Sequence, residues 1–173
     1  MSTHIIVDGY NLIRHSPDLA PLDREDLQAG RDALITMLAE YKRVKKHRIT
    51  VVFDGADTPS LYPQRTNVRG ISVLFSARGE LADGVIKRMA RKEGERALVV
   101  SSDREVQRYS QRHRATVIDS GHFEQKLLMA GGNGLGAGYD GDETGWQANT
   151  RKKGPSRRTP KRKRRHLRKM RKL

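Results

Sequence analysis

Three apolar runs in this chain each lead into an aspartate. Ile5-Ile6-Val7 leads into Asp8-Gly9, Val51-Val52-Phe53 into Asp54-Gly55, and Leu98-Val99-Val100 into Ser101-Ser102-Asp103. Short apolar runs bounded by turn signals read as buried strands. In an open parallel sheet the carboxyl ends of the strands face one crevice, where ligands bind. Acids gathered there suit a hard divalent cation, which needs few carboxylates beside water and phosphate oxygens. A fourth acid, Asp83, stands at the start of a predicted helix, and Glu80 three residues earlier would share its face. Such a site activates water and offsets charge on a scissile phosphate. Each aspartate also has a plainer reading. Asp8-Gly9 and Asp54-Gly55 are turn pairs, Asp103 is a helix N-cap, and the helix dipole alone favours Asp83. Four acids brought to one edge despite their mutual repulsion outweigh those separate readings; Asp54 is the weakest ligand of the four.

These acids need elements to position them. Residues 3–8 read as a strand. Asp23 caps a predicted helix from Arg24 to Lys46, with Leu27, Leu34, Leu38 and Tyr41 near one face. Residues 48–54 are a second strand. Gly55 to Arg69, with Pro59 and Pro63, reads as a loop. Ile71–Phe75 is a strand, Glu80–Lys92 a helix, Arg96–Ser101 a strand, and Asp103 opens a helix through Arg112. Ala115–Ile118 is the last strand and Gly121–Met129 the last helix of the body. The alternation predicts a doubly wound α/β sheet. The body ends near residue 130. Residues 131–145 hold seven glycines, so 131–150 reads as a flexible linker.

Residues 151–173 hold 14 Lys or Arg and no Asp or Glu. The first 150 residues carry 21 basic and 20 acidic side chains, a net of +1, against a formal +15 for the whole chain. A cationic block of this density is an electrostatic footprint for nucleic acid or an anionic surface. We expect it to be disordered when free, with Lys161-Arg162-Lys163-Arg164-Arg165 and the residues after it becoming helical on a phosphate-rich partner. Nearer the crevice, Arg14, Arg65, Arg69, Arg78 and Arg104 lie in or beside loops predicted at the carboxyl edge. The planar guanidinium fork suits phosphate, although each alone also reads as a solvated charge. Arg104, Arg108 and Arg112 recur every four residues on one helix. Tyr10 and Tyr62 could stack on a base, and Tyr10 reads equally as wedged into the body; Trp146 lies in the linker. There is no cysteine, which suits a reducing cytoplasm and excludes thiolate metal sites. No apolar run reaches bilayer length, and no secretory signal opens the chain. The glycines of 132–138 do not fit a dinucleotide loop, and Asp140-Gly141-Asp142 lacks the glutamate of a calcium loop.

Val7-Asp8-Gly9-Tyr10-Asn11-Leu12, Phe53-Asp54-Gly55, Glu80-Leu81-Ala82-Asp83 and Ser101-Ser102-Asp103, in that order, resemble the motifs of the YacP-like NYN family, a branch of the PIN-domain nucleases. The resemblance covers residues 3–129. It implies a three-layer PIN-like fold with a mostly parallel sheet, a Mg²⁺ or Mn²⁺ site, and endonucleolytic cleavage of RNA. It makes Asp8, Asp83 and Asp103 the catalytic metal ligands, with Glu80 beside them and Asn11, Asp54 and Ser102 in support. Many relatives carry a second acid directly after the residue matching Asp83, where this chain has Gly84.

Three readings compete for the tail. A non-specific RNA arm, reaching mRNA, rRNA or the ribosome, fits the composition best. A membrane-surface helix has too few apolar residues, and a nuclear address sits poorly with a bacterial family. The expectation is a metal-dependent endoribonuclease with a cationic RNA-binding tail. Its rival is a non-catalytic RNA- or ribosome-binding module that keeps the fold. The pattern specifies no oligomeric state.

Overall fold

The computed structural model describes residues 3–55, 61–131 and 161–173. Six strands form its sheet: β1 (His4–Asp8), β2 (Arg48–Phe53), β3 (Gln64–Val68), β4 (Ile71–Phe75), β5 (Ala97–Val100) and β6 (Thr116–Ile118). Their order across the sheet is β3-β4-β2-β1-β5-β6. All pairs are parallel except β3 with β4. The seven helices described are α1 (Gly9–His15), α2 (Leu19–Glu25), α3 (Leu27–Lys45), α4 (Ala82–Glu93), α5 (Arg104–Arg112), α6 (Ser120–Gly131) and α7 (Lys161–Met170).

Strand residues alternate between two apolar layers, as a period of two requires. Ile5, Val7, Val51, Phe53, Leu98 and Val100 join Leu34, Leu38 and Tyr41 of α3 and Phe123 of α6 on one face. Ile6, Val52 and Val99 join Val85 and Ile86 of α4 and Val106 of α5 on the other. This is the predicted α/β sheet with helices on both sides. From β1 the chain builds outward through β2 and β4, then crosses back to lay β5 on the opposite flank of β1. The switch point between β1 and β5 opens the crevice at the carboxyl edge.

Four expectations are corrected. The helix drawn from Arg24 to Lys46 is two helices. Asp26 is extended (φ −152°, ψ 117°) and caps α3 by accepting from the Gln28 amide at 2.9 Å. Asp23 lies within α2, where its main chain and Cβ pack closely on Gly30. Part of the predicted loop 55–69 is β3, an edge strand exposed throughout; with no apolar residue facing inward, its sequence carries no strand alternation. The helix drawn from Glu80 starts at Ala82. α1 begins directly at Gly9, capped by Asp8, where only a turn is expected.

The predicted disorder of the basic tail is corrected over residues 161–173. Leu173 is buried and Met170 packs on the core shared with α3 and α6. The Tyr41 hydroxyl donates to the Leu173 carbonyl at 3.2 Å. Lys169 Nζ donates to the Ala97 carbonyl at 2.9 Å and to the Glu95 carbonyl, and Arg165 pairs with Glu95. Residues 165, 166, 169, 170 and 173 follow a helical period, so α7 has a body face that the charge count conceals. Leu167, off that period, is exposed. The glycine-rich segment, Trp146 and the start of the basic block lie outside the described residues.

Candidate functional site

Asp8 ends β1 at the switch point and is only 7 % exposed. One carboxylate oxygen accepts from the Asn11 amide at 3.3 Å, capping α1; the other accepts from the Ser101 hydroxyl at 3.0 Å, across from β5. Ser101 Oγ in turn accepts from the Asp103 amide at 3.1 Å. Burial pushes the Asp8 carboxyl up to about 6. The Ser101 and Asn11 bonds oppose that rise, and the negative charges of Asp83 and Asp54 add to it. Gly9 follows because nothing larger fits: a Cβ there would run into the Phe53 ring.

Asp83 sits in the first turn of α4. Its pKa is raised by burial first, then by Asp103 and Asp54, with Lys87 opposing. Asp103 caps α5, its Oδ1 accepting from the amides of Glu105 at 2.7 Å and Val106 at 2.9 Å. Asp54 accepts from the Ala82 amide at 2.6 Å. The residue before α4 is Leu81, which has no capping oxygen; an aspartate 28 residues upstream supplies it. Four acids, at the ends of β1 and β2, in the first turn of α4 and after β5, thus gather at the carboxyl edge, where their charges add to the elevation of Asp8 and Asp83. Among the described residues no three acidic or histidine side chains close on a single point. Mg²⁺ requires only one or two carboxylates, so this all-oxygen set fits such an ion.

Glu80 lies elsewhere than the helix argument puts it. It precedes α4, and its carboxylate pairs with Arg88, which holds its pKa down. Its Oε1 stands 3.3 Å from where a Cβ of residue 84 would project. Glu80 therefore fills the space in front of Gly84, turned toward a cation.

Asn11 Oδ1 accepts from the Ser102 amide and from the Ser120 hydroxyl, each at 2.8 Å, tying α1 to the ends of β5 and β6. Ser102 Oγ donates to Asp119 at 2.7 Å. Asp119 has no part in the sequence reading, although Thr116-Val117-Ile118-Asp119 repeats the strand-to-acid pattern of the other three. Its pKa is lowered, chiefly by the Ser102 bond. Arg31 also has no part in it, and there the sequence gives no signal. From near the start of α3 its guanidinium reaches Tyr10, Phe53 and Phe75, 5.4–5.9 Å from the ring centres, and donates to the Tyr10 hydroxyl at 2.7 Å. Tyr10 is wedged edge-on against Phe53 at 5.1 Å.

Of the predicted arginines, Arg14 lies over Tyr10, 5.6 Å from its ring centre. Arg78 and Arg104 are exposed in the loop before α4 and at the start of α5. Arg65 is near the carboxyl edge, its Nε donating to Ser72 at 2.8 Å. Arg69 is not at that edge. β3 runs antiparallel to β4, so the turn at Arg69-Gly70 falls at the opposite end of the sheet, and Arg69 donates to Thr36 there at 3.0 Å. Lys161 to Arg165 open α7. No described helix is long and apolar enough to cross a membrane.

A mostly parallel sheet with helices on both sides and acids at its carboxyl edge defines a PIN-like domain of the nuclease type. The chain belongs to the YacP-like NYN domain family, whose profile matches residues 5–172. It is 37% identical over 86 residues to the "Uncharacterized protein YacP" of Bacillus subtilis (strain 168). That match covers 50% of each protein, so the chain spans about half the length of this curated relative. Two crystal structures of Rae1 (YacP) from Bacillus subtilis are similar in fold. One, a tryptophan-to-leucine mutant, has a TM-score of 0.63 at 27% identity, covering 74% of this chain and 76% of that one. The other has a TM-score of 0.61 at 29% identity, covering 75% of each. The family match reaches past residue 129, where the motif resemblance stops, and takes in α7.

Proposed function

We propose that this protein is a metal-dependent endoribonuclease acting on mRNA or rRNA in the cytoplasm, with the ribosome as a setting for its substrate. The observation that carries the reading is the gathering of acids at the sheet's carboxyl edge, where, beyond the effect of burial, Asp83 and Asp54 raise Asp8, and Asp103 and Asp54 raise Asp83. Uncharged Ser, Thr or Asn could cap these helices without the repulsion, which a divalent cation relieves. Asp8, Asp83 and Asp103 are proposed to hold the ion, one or two of them directly and the rest through its waters, and Glu80 would join them only on leaving Arg88. Mg²⁺ or Mn²⁺ bound there would activate water and offset charge on the phosphate. Asp54 fixes α4 so that Asp83 faces the crevice, and Asn11 and Ser102 hold the ends of β5 and β6 in place. Arg14, Arg65, Arg78 and Arg104 are proposed to hold flanking phosphates, with Lys161, Arg162, Lys163, Arg164 and Arg165 adding affinity from α7. Arg69, at the far edge, would meet only RNA that wraps the body. Attack by water leaves a 5′-phosphate and a 3′-hydroxyl; a 2′,3′-cyclic product would contradict the mechanism.

One observation favours a non-catalytic RNA- or ribosome-binding module. Gly84 removes an acid, and Glu80 in front of it is neutralised by Arg88. The deciding test offers an RNA pool, naked and with ribosomes, to the wild type and Asp8→Asn in Mg²⁺, Mn²⁺ or EDTA. Cuts that need metal and vanish in Asp8→Asn are expected. Binding without cuts in every condition would give the function to the rival.

A further inference from the structure

A hollow of about 830 Å³ lies behind β6, away from the crevice. Arg112 and Arg114 line it from the end of α5, and Lys161, Lys163, Arg165 and His166 line it from α7. The acid in its wall is Glu95, which pairs with Arg165 and lies 3.9 Å from Arg114. The dipole of α5 favours cations at that helix end. It does not account for a second set of cations facing them from another helix. Two basic walls with one shared acid are self-repelling unless an anion lies between them.

Arg114 supplies an independent sign. Its φ is +67°, the left-handed region. The Arg114 amide donates to the Gln111 carbonyl at 3.1 Å and the Ala115 amide to the Ser110 carbonyl at 3.0 Å, closing the helix. Glycine is the usual residue at such a position, and a side chain there costs about 1 kcal/mol or more. The chain nevertheless keeps a long cation there, at the rim of the hollow.

The hollow leads on to a second one of about 440 Å³, sharing Val117 and His166 with it and reaching Asp119. Asp119 is bonded to Ser102 at the crevice. The two hollows thus adjoin along the outer edge of β6, the first at the basic walls and the second at Asp119, one hydrogen bond from Ser102. A single strand, whose phosphates can turn one by one toward either wall, suits such a path better than a duplex.

We infer that the groove between α5, β6 and α7 binds the phosphate backbone of single-stranded RNA and leads that strand to the acidic crevice. The assignment of RNA rests on the function proposed above; the groove and its charge do not. The test uses the full chain, an unstructured 12-nucleotide RNA, and EDTA to prevent cleavage. Arg114→Gly removes one cation and relieves the left-handed backbone, so its melting temperature should equal or exceed that of the wild type. The log–log salt slope of binding should fall by about 0.7 in Arg114→Gly and about 1.4 in Arg112→Gln/Arg114→Gly. Affinity of the double variant near physiological salt should fall roughly tenfold. Unchanged slopes overturn the groove. Equal losses for a 12-base-pair duplex overturn its preference for single strands. If the slopes fall while no RNA is cut in Mg²⁺ or Mn²⁺, the groove stands and the nuclease reading fails. If cutting occurs and the slopes do not move, the reverse holds.

Discussion

The Asp8 carboxylate accepts two hydrogen bonds, yet burial and its acidic neighbours still push its pKa to about 6 from an ordinary value of 3.8. Between those values the folded chain holds the proton more tightly than the unfolded chain does. The contribution of Asp8 to stability is therefore fully present below pH 4 and lost as pH rises through 6, by roughly 2–3 kcal/mol. In EDTA, Asp8→Asn should be more stable than the wild type by about that amount at pH 7, and the advantage should disappear near pH 4. Denaturant midpoints of the two proteins across this range would show it, and parallel curves would refute it. Adding Mg²⁺ should raise the wild-type midpoint and leave that of Asp8→Asn in place, because only a site that binds the ion in the native state gains from it. A residue that weakens the fold without its partner and is needed for the reaction fits a functional site better than a structural one.

At the scale of elements, α7 is the part whose composition most misleads. Its charge suggests an arm that leaves the body, whereas Lys169, Met170 and Leu173 fasten it down. Lys169 is buried enough that its pKa drops to about 8, and its donors are met by main-chain carbonyls at the start of β5. Leu173→Ala should destabilise the protein by about 2–4 kcal/mol, the range for a buried leucine truncated in a core. A guanidinium midpoint indistinguishable from wild type would show that α7 does not rest on the body in solution. α4 shows the same dependence on remote chain, since Asp54 caps its first turn.

For the whole molecule the charge asymmetry remains, and over residues 161–173 it is carried on an ordered surface. Lys163, Arg164, Arg168 and Arg171 are exposed on α7 and just beyond it, while Arg165 and Lys169 are engaged with the body. Deleting the tail would remove core packing together with charge, so neutralising the exposed cations is the cleaner experiment. Changing these four to Gln should lower the salt slope of single-stranded RNA binding by up to about 2.8, at about 0.7 for each phosphate no longer neutralised, with little change in melting temperature. A slope equal to that of the wild type would place RNA affinity on the body. The crevice, the groove behind β6 and the outer face of α7 together make a surface on which one strand could be held at several points.

The apolar runs, the acids at their ends and the order of elements are legible in the chain alone. A strand buried on both faces must be continuously apolar, and an acid at its end must lie at the sheet edge. The α/β sheet and the candidates Asp8, Asp54 and Asp103 follow from those two constraints, Asp83 follows from its place at a helix start, and Asp119 fits the strand-end pattern. Tertiary structure alone decides what depends on partners distant in sequence. β3 is invisible because a polar edge strand takes its order from hydrogen bonds to β4. Arg31 comes to the crevice because α3 crosses the ends of β2 and β4. Glu80 turns from the acids because Arg88 lies one helical stretch ahead of it. α7 is ordered because a few side chains among many cations meet a core that local composition cannot reveal.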